Sequence, residues 1–169
     1  MKPIIEFKDV HKSFGDHGVL VGAELSISPG ETLTIIGGSG TGKSVFLKLL
    51  LGVMRPDSGE IFFDGEPLSE MNERKLSRMR RRIGMLFQGA ALFDSLTVKE
   101  NVAYPLREHF EYGENKISQI VDDKLAMVGL PGIGGMMPSD LSGGMKKRVG
   151  LARAIATDPD VILYDEPTT

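Results

Sequence analysis

Residues 37–44 form a glycine-rich run, Gly-Gly-Ser-Gly-Thr-Gly-Lys-Ser, which fits the pattern G-x-x-x-x-G-K-[ST]. Residues 31–36 before it, which include Leu33, Ile35 and Ile36, predict a buried strand, and residues 44–52 after it predict a helix that is apolar on nearly all sides. Glycines between a strand and a helix let the backbone curl so that successive N–H groups point inward at an anion. The sequence therefore predicts an α/β fold that binds phosphate groups.

Each part of this loop has an expected role. The backbone amides and the N-terminal dipole of the helix bind phosphate oxygens, Lys43 adds a positive charge for the β- and γ-phosphates, and the Ser44 hydroxyl is a ligand for Mg²⁺. A glycine turn that binds nothing is the alternative, and the strand before and helix after the loop argue against it. The predicted nucleotide-binding residues here are Gly37, Gly38, Ser39, Gly40, Thr41, Gly42, Lys43, Ser44 and Val45.

A second candidate site follows the apolar strand predicted at Val161–Tyr164, which ends in Asp165 and Glu166. Ligands of α/β sheets bind at the carboxyl ends of strands, so both carboxylates are well placed for chemistry. Asp165 is expected to hold Mg²⁺, and Glu166 to orient or deprotonate an attacking water. Acidic residues that simply cap a strand in solvent are the common alternative, and the phosphate loop upstream favours the catalytic interpretation.

A third candidate site is Leu-Ser-Gly-Gly-Met at residues 141–145, directly before a predicted helix of about fourteen residues. The Ser142 hydroxyl and the amides of Gly143 and Gly144 could bind an anion at the helix N-terminus. The plain alternative is a helix N-cap. Two anion sites in one chain are explained by a head-to-tail dimer, in which this segment closes over the nucleotide of the partner copy.

Composition removes several classes of protein. There is no cysteine, which excludes disulfides and thiolate chemistry, and His11, His17 and His109 do not have the spacing of metal ligands. The net charge of −3 predicts no binding to nucleic acid. No apolar stretch reaches the ~18 residues that a bilayer span requires, and charged residues interrupt the N-terminus, so the sequence predicts a cytoplasmic protein.

Strands surround a helical insert in the predicted organisation. The predicted strands, besides 31–36, are residues 4–10, 19–27, 60–64, 83–87 and 161–164. The helix predicted at residues 97–108 begins with Thr97, and Glu100 three residues later completes a capping box. A second helix is predicted at residues 116–130, and the third follows Ser142.

Taken in order, these motifs resemble those of the nucleotide-binding domain of an ABC transporter, over essentially the whole chain. The resemblance implies ATP and Mg²⁺, and a P-loop NTPase fold with a mixed sheet core, an N-terminal antiparallel β part and an α-helical subdomain. It implies one domain at residues 1–169, with a RecA-like core at about 1–89 and 156–169 and the helical subdomain at about 90–155. It also implies that Gln88 contacts Mg²⁺ and the attacking water, and that Phe14 stacks on adenine; strand-edge packing is the alternative for Phe14.

The segment Leu-Ser-Gly-Gly-Met at residues 141–145 resembles the ABC signature, with Met145 where glutamine is commoner. Together with residues 87–98 and 100–106, this variant more closely resembles the Mla and Mce group of lipid-transport ATPases. That resemblance implies an ATPase on the inner face of the plasma membrane, partnered by a second copy and an integral permease, with MCE-domain and STAS-domain proteins as further partners. The alternatives are the ATPase of another solute importer, a soluble ABC ATPase that acts on DNA or the ribosome, and a non-catalytic regulatory module.

The sequence departs from this family pattern at its end, Thr169. In the family a complete domain continues with further strands and a switch histidine that contacts the γ-phosphate, and His11, His17 and His109 do not match it. We therefore expect these 169 residues to form an incomplete domain with weak or no turnover on its own.

Overall fold

The computed structural model of this chain describes residues 2–38, 40–87 and 89–165. The chain divides into two units, Met1–Arg80 and Arg81–Thr169, and each has its own sheet and buried core. Both units combine strands with helices, which confirms the predicted α/β class. In the described part of the chain, no helix has the length and apolar character needed to cross a bilayer.

The first unit is built on a four-stranded antiparallel sheet. Its strands are β1 (Ile5–Phe14), β2 (His17–Ile27), β3 (Ser58–Phe63) and β4 (Glu66–Pro67). They lie in the order β2-β1-β3-β4, and Ile5 of β1 pairs with Ile27 on one side and with Phe63 on the other. The predicted N-terminal antiparallel β part is confirmed.

Two helices accompany this sheet, α1 (Lys43–Leu50) and α2 (Glu73–Arg81). The ring of Phe7 in β1 stacks on Phe46 of α1 with 4.4 Å between the ring centroids. α1 is less buried than its composition predicts, because only its last two residues are fully buried and its other apolar side chains, Val45, Phe46 and Leu47, are half-buried. The prediction of a helix buried on nearly all sides was therefore wrong.

Residues 31–36 do not form the strand that the sequence predicts. The whole stretch from residue 31 to residue 38 lacks regular secondary structure, and the side chain of Ile36 is 92% exposed. Its β-branched, apolar sequence suits a pleated sheet, but a strand exists only where a neighbour supplies ladder hydrogen bonds. No described strand pairs with this segment, so composition alone misled the prediction.

The second unit combines a parallel strand pair with three helices. β5 (Ile83–Leu86) and β6 (Val161–Tyr164) pair in register, so that both strands end at the same edge. The helices are α3 (Val98–His109), α4 (Glu114–Met127) and α5 (Gly143–Ala154). All three were predicted, although α5 is shorter than expected at 12 residues. Their shared core includes Val98, Val102, Leu106, Ile117, Val121, Leu125 and Val149.

β5 and α5 approach each other so closely that two glycines at the contact leave no room for a side chain. A Cβ atom on Gly84 would lie 2.4 Å from the carbonyl oxygen of Ala154. A Cβ atom on Gly150 would lie 3.0 Å from Leu86 Cδ1 and 3.1 Å from the Cβ of Ala90. Helix and strand are thus joined by backbone contact as well as by side chains.

The segment that leads into α3 is fastened by two side chains. Thr97 is the N-cap, and with Glu100 it forms the predicted capping box. Asn101 is fully buried, and its Nδ2 donates to the carbonyl oxygens of Phe93 at 3.1 Å, Leu96 at 3.0 Å and Thr97 at 3.0 Å. Its Oδ1 accepts a hydrogen bond of 2.8 Å from the N–H of Phe93. A single buried amide therefore organises the turn before the helix.

Candidate functional site

The glycine-rich loop ends in the first turn of α1, where left-handed glycines bend the backbone. Gly40 has φ 80° and Gly42, the N-cap of α1, has φ 96°. Residues that have a Cβ atom rarely adopt such backbone angles. A Cβ on Gly42 would also lie 2.6 Å from Val19 Cγ1, and one on Gly37 would lie 2.5 Å from Thr41 Oγ1. The curled backbone therefore requires glycine at these positions. Ser39, also predicted to bind nucleotide, lies outside the described residues.

The positive charge of Lys43 lies inside this curl. Its Nζ donates to the carbonyl oxygen of Gly37 at 2.5 Å and to that of Gly38 at 2.8 Å. Thr41 Oγ1 donates to the same Gly38 carbonyl at 2.9 Å, which closes the loop upon itself. The ammonium group is thus held by loop carbonyls, at the place where the sequence predicts phosphate binding.

The N-terminus of α1 has the electrostatic character of an anion site. No side chain caps it, and no acidic residue lies in its first turn. The first amides of a helix have no intrahelical acceptor, and the dipole places partial positive charge there. Ser44 is exposed and Val45 half-buried in that turn. The residues present therefore fit a bound phosphate together with a magnesium ion at the Ser44 hydroxyl.

Phe14 ends β1 in the same unit, and its side chain is 49% exposed. Lys12 Nζ lies 5.8 Å from the centroid of its ring and also donates to Asp57 Oδ1 at 2.5 Å. The Lys12 hydrogen bond, followed by one from the N–H of Ser13, lowers the pKa of the Asp57 carboxyl. A half-exposed phenyl ring suits stacking on a base. The ion pair between Lys12 and Asp57 holds the end of β1 that carries Phe14.

Asp165 follows β6 in the second unit. Its N–H donates to the carbonyl oxygen of Leu86 at 3.0 Å, which continues the parallel ladder one residue beyond β6. Its side chain is half-buried at the carboxyl edge of the strand pair. Gln88 and Glu166, both predicted to be catalytic, lie outside the described residues.

Ser142 is the N-cap of α5, and its Oγ accepts a hydrogen bond of 3.3 Å from the N–H of Met145. Gly143 and Gly144 are exposed, and a Cβ atom on either would meet nothing within 4 Å. The plain alternative from the sequence, a helix N-cap, is therefore present. The open backbone beside it leaves the anion-binding interpretation standing as a prediction.

The predicted site residues divide between the two units. The glycine-rich loop, Ser44 and Phe14 belong to the first, and Asp165 and the segment 142–144 belong to the second. Among the residues that the structure describes, no three acidic, histidine or cysteine side chains cluster as a metal site. The sequence reasoning missed Lys12, whose place two residues before Phe14 on one face of a strand was the available signal.

The profile of the ABC transporter family matches residues 20–169. The chain is 47% identical over 166 residues to the intermembrane phospholipid transport system ATP-binding protein MlaF of Haemophilus influenzae, which covers 98% of this chain and 63% of MlaF. It is also 47% identical over 163 residues to the probable ribonucleotide transport ATP-binding protein mkl of Mycobacterium bovis, which covers 96% of this chain and 45% of that protein.

Among solved structures, the dimeric post-hydrolysis state of the ATP-binding cassette MJ0796 bound to ADP and Pi has a TM-score of 0.86 and 32% identity. That match covers 97% of this chain and 74% of the other. The chain thus spans about half to two thirds of the length of the two curated relatives above, 45% and 63%. With the glycine-rich loop in front of α1 and a profile match over residues 20–169, the chain belongs to the ABC transporter family and has the fold of its ATP-binding cassettes.

Proposed function

We propose that this chain is part of an ATPase that powers transport of phospholipid or another lipid at the cell envelope. The observation that carries the nucleotide-binding step is Lys43 inside the glycine loop at the uncapped start of α1. The MlaF relative, which is named a phospholipid transport ATP-binding protein, supports the lipid cargo. The mkl relative has a name that specifies ribonucleotide transport, which makes a nucleotide cargo the second candidate.

In this proposal the loop amides and Lys43 hold the β- and γ-phosphates of ATP, and Phe14 stacks on the adenine. Water attacks the γ-phosphorus in line. The bond between the γ-phosphorus and the bridging oxygen then breaks, and ADP leaves. Glu166 orients that water and accepts its proton. Mg²⁺, bound at Ser44, Gln88 and Asp165, would neutralise charge on the phosphates.

We test nucleotide binding in the full-length protein by titrating a fluorescent ATP analogue against wild type and Lys43→Ala. Lys48→Ala is the matched control, because Lys48 is exposed in the last turn of the same helix. We expect Lys43→Ala to lose binding and hydrolysis and Lys48→Ala to keep both. Equal affinity and turnover of the two variants would reject the phosphate-loop assignment.

We propose that two copies pair head to tail, with Ser142, Gly143 and Gly144 of one facing the nucleotide of the other. The open backbone at 143–144 and the dimeric MJ0796 structure support this arrangement. Glu166→Gln in the full-length protein should slow hydrolysis and accumulate an ATP-bound dimer, measured by light scattering after size-exclusion chromatography. A variant that stays monomeric in ATP would count against the dimer.

An integral permease is the proposed membrane partner, with MCE-domain and STAS-domain proteins as further components and the ATPase on the inner face of the plasma membrane. The proposed domain organisation keeps the core at about 1–89 and 156–169 and the helical subdomain at about 90–155. Purification of the tagged, full-length protein from its host membranes, followed by mass spectrometry of proteins and lipids, tests this proposal. Recovery of a permease with phospholipid supports it, whereas recovery with a solute permease, a ribosome or DNA refutes the lipid assignment.

A further inference from the structure

Arg153 has an unusual environment in the last turn of α5. Its guanidinium donates to the carbonyl oxygens of Ala91 through Nη1 and of Ala90 through Nη2, both at 2.8 Å. It forms no ion pair with an acidic side chain among the described residues, and its Cζ lies 5.9 Å from the ring centroid of Phe93. Burial lowers the pKa of this guanidinium. A half-buried charge whose hydrogen bonds go to a loop must contribute to that loop's conformation.

The two alanines that receive these hydrogen bonds are themselves strained. Ala90 has φ 61° and Ala91 has φ 45°, a left-handed conformation that brings the Cβ atom too close to the backbone. Two such residues in succession persist only where the surroundings hold them. The fork of Arg153 is the contact that reaches both carbonyls at once, so it offsets that strain.

The loop concerned, residues 89–93, directly follows the position of Gln88 and ends at Phe93. The ring of Phe93 lies 4.9 Å from that of Tyr104, and both side chains are more than two-fifths exposed. The other end of α5 carries Ser142, roughly 16 Å away at about 1.5 Å per residue. One helix therefore connects the proposed partner-nucleotide contact to an exposed aromatic pair.

We infer that Arg153 is a positioning residue that ties loop 89–93 to α5, so that the loop and the Phe93 ring follow movements of the Ser142 end of the helix. The inference rests on the proposed function for its consequence in transport. The tie itself rests on the contacts of Arg153 alone.

Hydrogen exchange on the full-length protein tests the tie without any activity. Arg153→Met keeps a long apolar side chain and removes the fork. Arg148→Met is the matched control, because Arg148 lies on the same helix and donates to the carbonyls of Val128 at 3.4 Å and Gly129 at 3.3 Å. We expect Arg153→Met to raise the amide exchange rate at residues 89–93 at least tenfold and to leave residues 128–130 unchanged. We expect Arg148→Met to raise exchange at residues 128–130 and to leave residues 89–93 unchanged.

The consequence for coupling is measured on the protein assembled with its membrane partner. A coupling contact of this kind changes rates by about tenfold, so Arg153→Met should lower the kcat of ATP hydrolysis about tenfold and leave the KM for ATP unchanged. Arg148→Met should leave kcat within about twofold. Arg153→Lys should not restore kcat, because one ammonium lacks the planar fork that reaches both carbonyls.

Unchanged exchange at residues 89–93 in Arg153→Met would overturn the inference, as would a kcat equal to wild type. If Arg153→Met shows no cooperative thermal unfolding, Arg153→Lys replaces it in the exchange comparison. An equal loss of protection at residues 89–93 and at residues 128–130 would then overturn the positioning role of Arg153. Absence of nucleotide binding in wild type would sink the proposed function, while the exchange comparison would still decide the role of Arg153.

Discussion

Replacing Asn101 by leucine tests whether one buried amide holds the turn before α3. Leucine has a similar volume, so the change removes hydrogen bonds more than packing. The amide uses two N–H donors shared among three carbonyls and one acceptor bound to the N–H of Phe93. Counting three net hydrogen bonds at about 1 kcal/mol each, we expect a loss of about 3 kcal/mol in the free energy of unfolding.

The net value is a lower bound, because Asn101 is fully buried and each donor or acceptor left without a partner there costs about 1–3 kcal/mol. The assay is urea unfolding of the full-length protein, with the midpoint shifted and the slope unchanged. Asn115→Leu, at an exposed position of α4, is the control and should change stability by less than about 0.5 kcal/mol. Asn101→Asp keeps the shape but turns a carboxylate toward carbonyl oxygens, so it should cost more than leucine. A loss below about 1 kcal/mol in both Asn101 variants would refute the reasoning.

Three further outcomes are expected. Gly84→Ala should lower the free energy of unfolding by about 3 kcal/mol, because the new Cβ meets the Ala154 carbonyl; a urea midpoint equal to wild type would contradict this. Ala91→Gly should raise the free energy of unfolding by about 0.5–1 kcal/mol, because glycine adopts the left-handed φ of this position without strain; a urea midpoint at or below that of wild type would contradict this. Asp57 should titrate below its ordinary pKa of 3.8 in carboxyl NMR shifts, and Lys12→Met should move it upward. Since that pKa is lowered by folding, its stabilising contribution is present above pH 3.8 and disappears as the pH falls through the folded value; an unshifted Asp57 would disprove it.

Periodicity and capping chemistry predicted most of the helices because those signals are local. The capping box of Thr97 and Glu100 and the apolar face of α4 needed no knowledge of distant residues. The strand predicted at residues 31–36 failed because a strand depends on a neighbour that local sequence does not reveal. The same limit explains α1, whose apolar surface is only partly covered in the structure.

The candidate site shows the same division. The loop that ends in Lys43 was predictable because its glycines and its lysine follow directly from the chemistry of phosphate binding. The hydrogen bonds from Arg153 to the carbonyls of Ala90 and Ala91 could not be predicted, because these residues lie 63 and 62 positions away in the sequence. Nor does an alanine in a sequence indicate a left-handed backbone. Long-range contacts of backbone carbonyls leave no pattern in a single sequence.

The N-cap of α5 gives one side chain two roles that substitutions can separate, the capping of the helix and the proposed contact with a partner's phosphate. The Ser142 oxygen accepts from Met145, yet its own hydrogen remains available as a donor, so a phosphate need not displace the cap. Aspartate at this position would still cap the helix, but its negative charge would repel a phosphate. Alanine would weaken both. A comparison of Ser142→Asp with Ser142→Ala therefore distinguishes the loss of phosphate binding from the loss of helix capping.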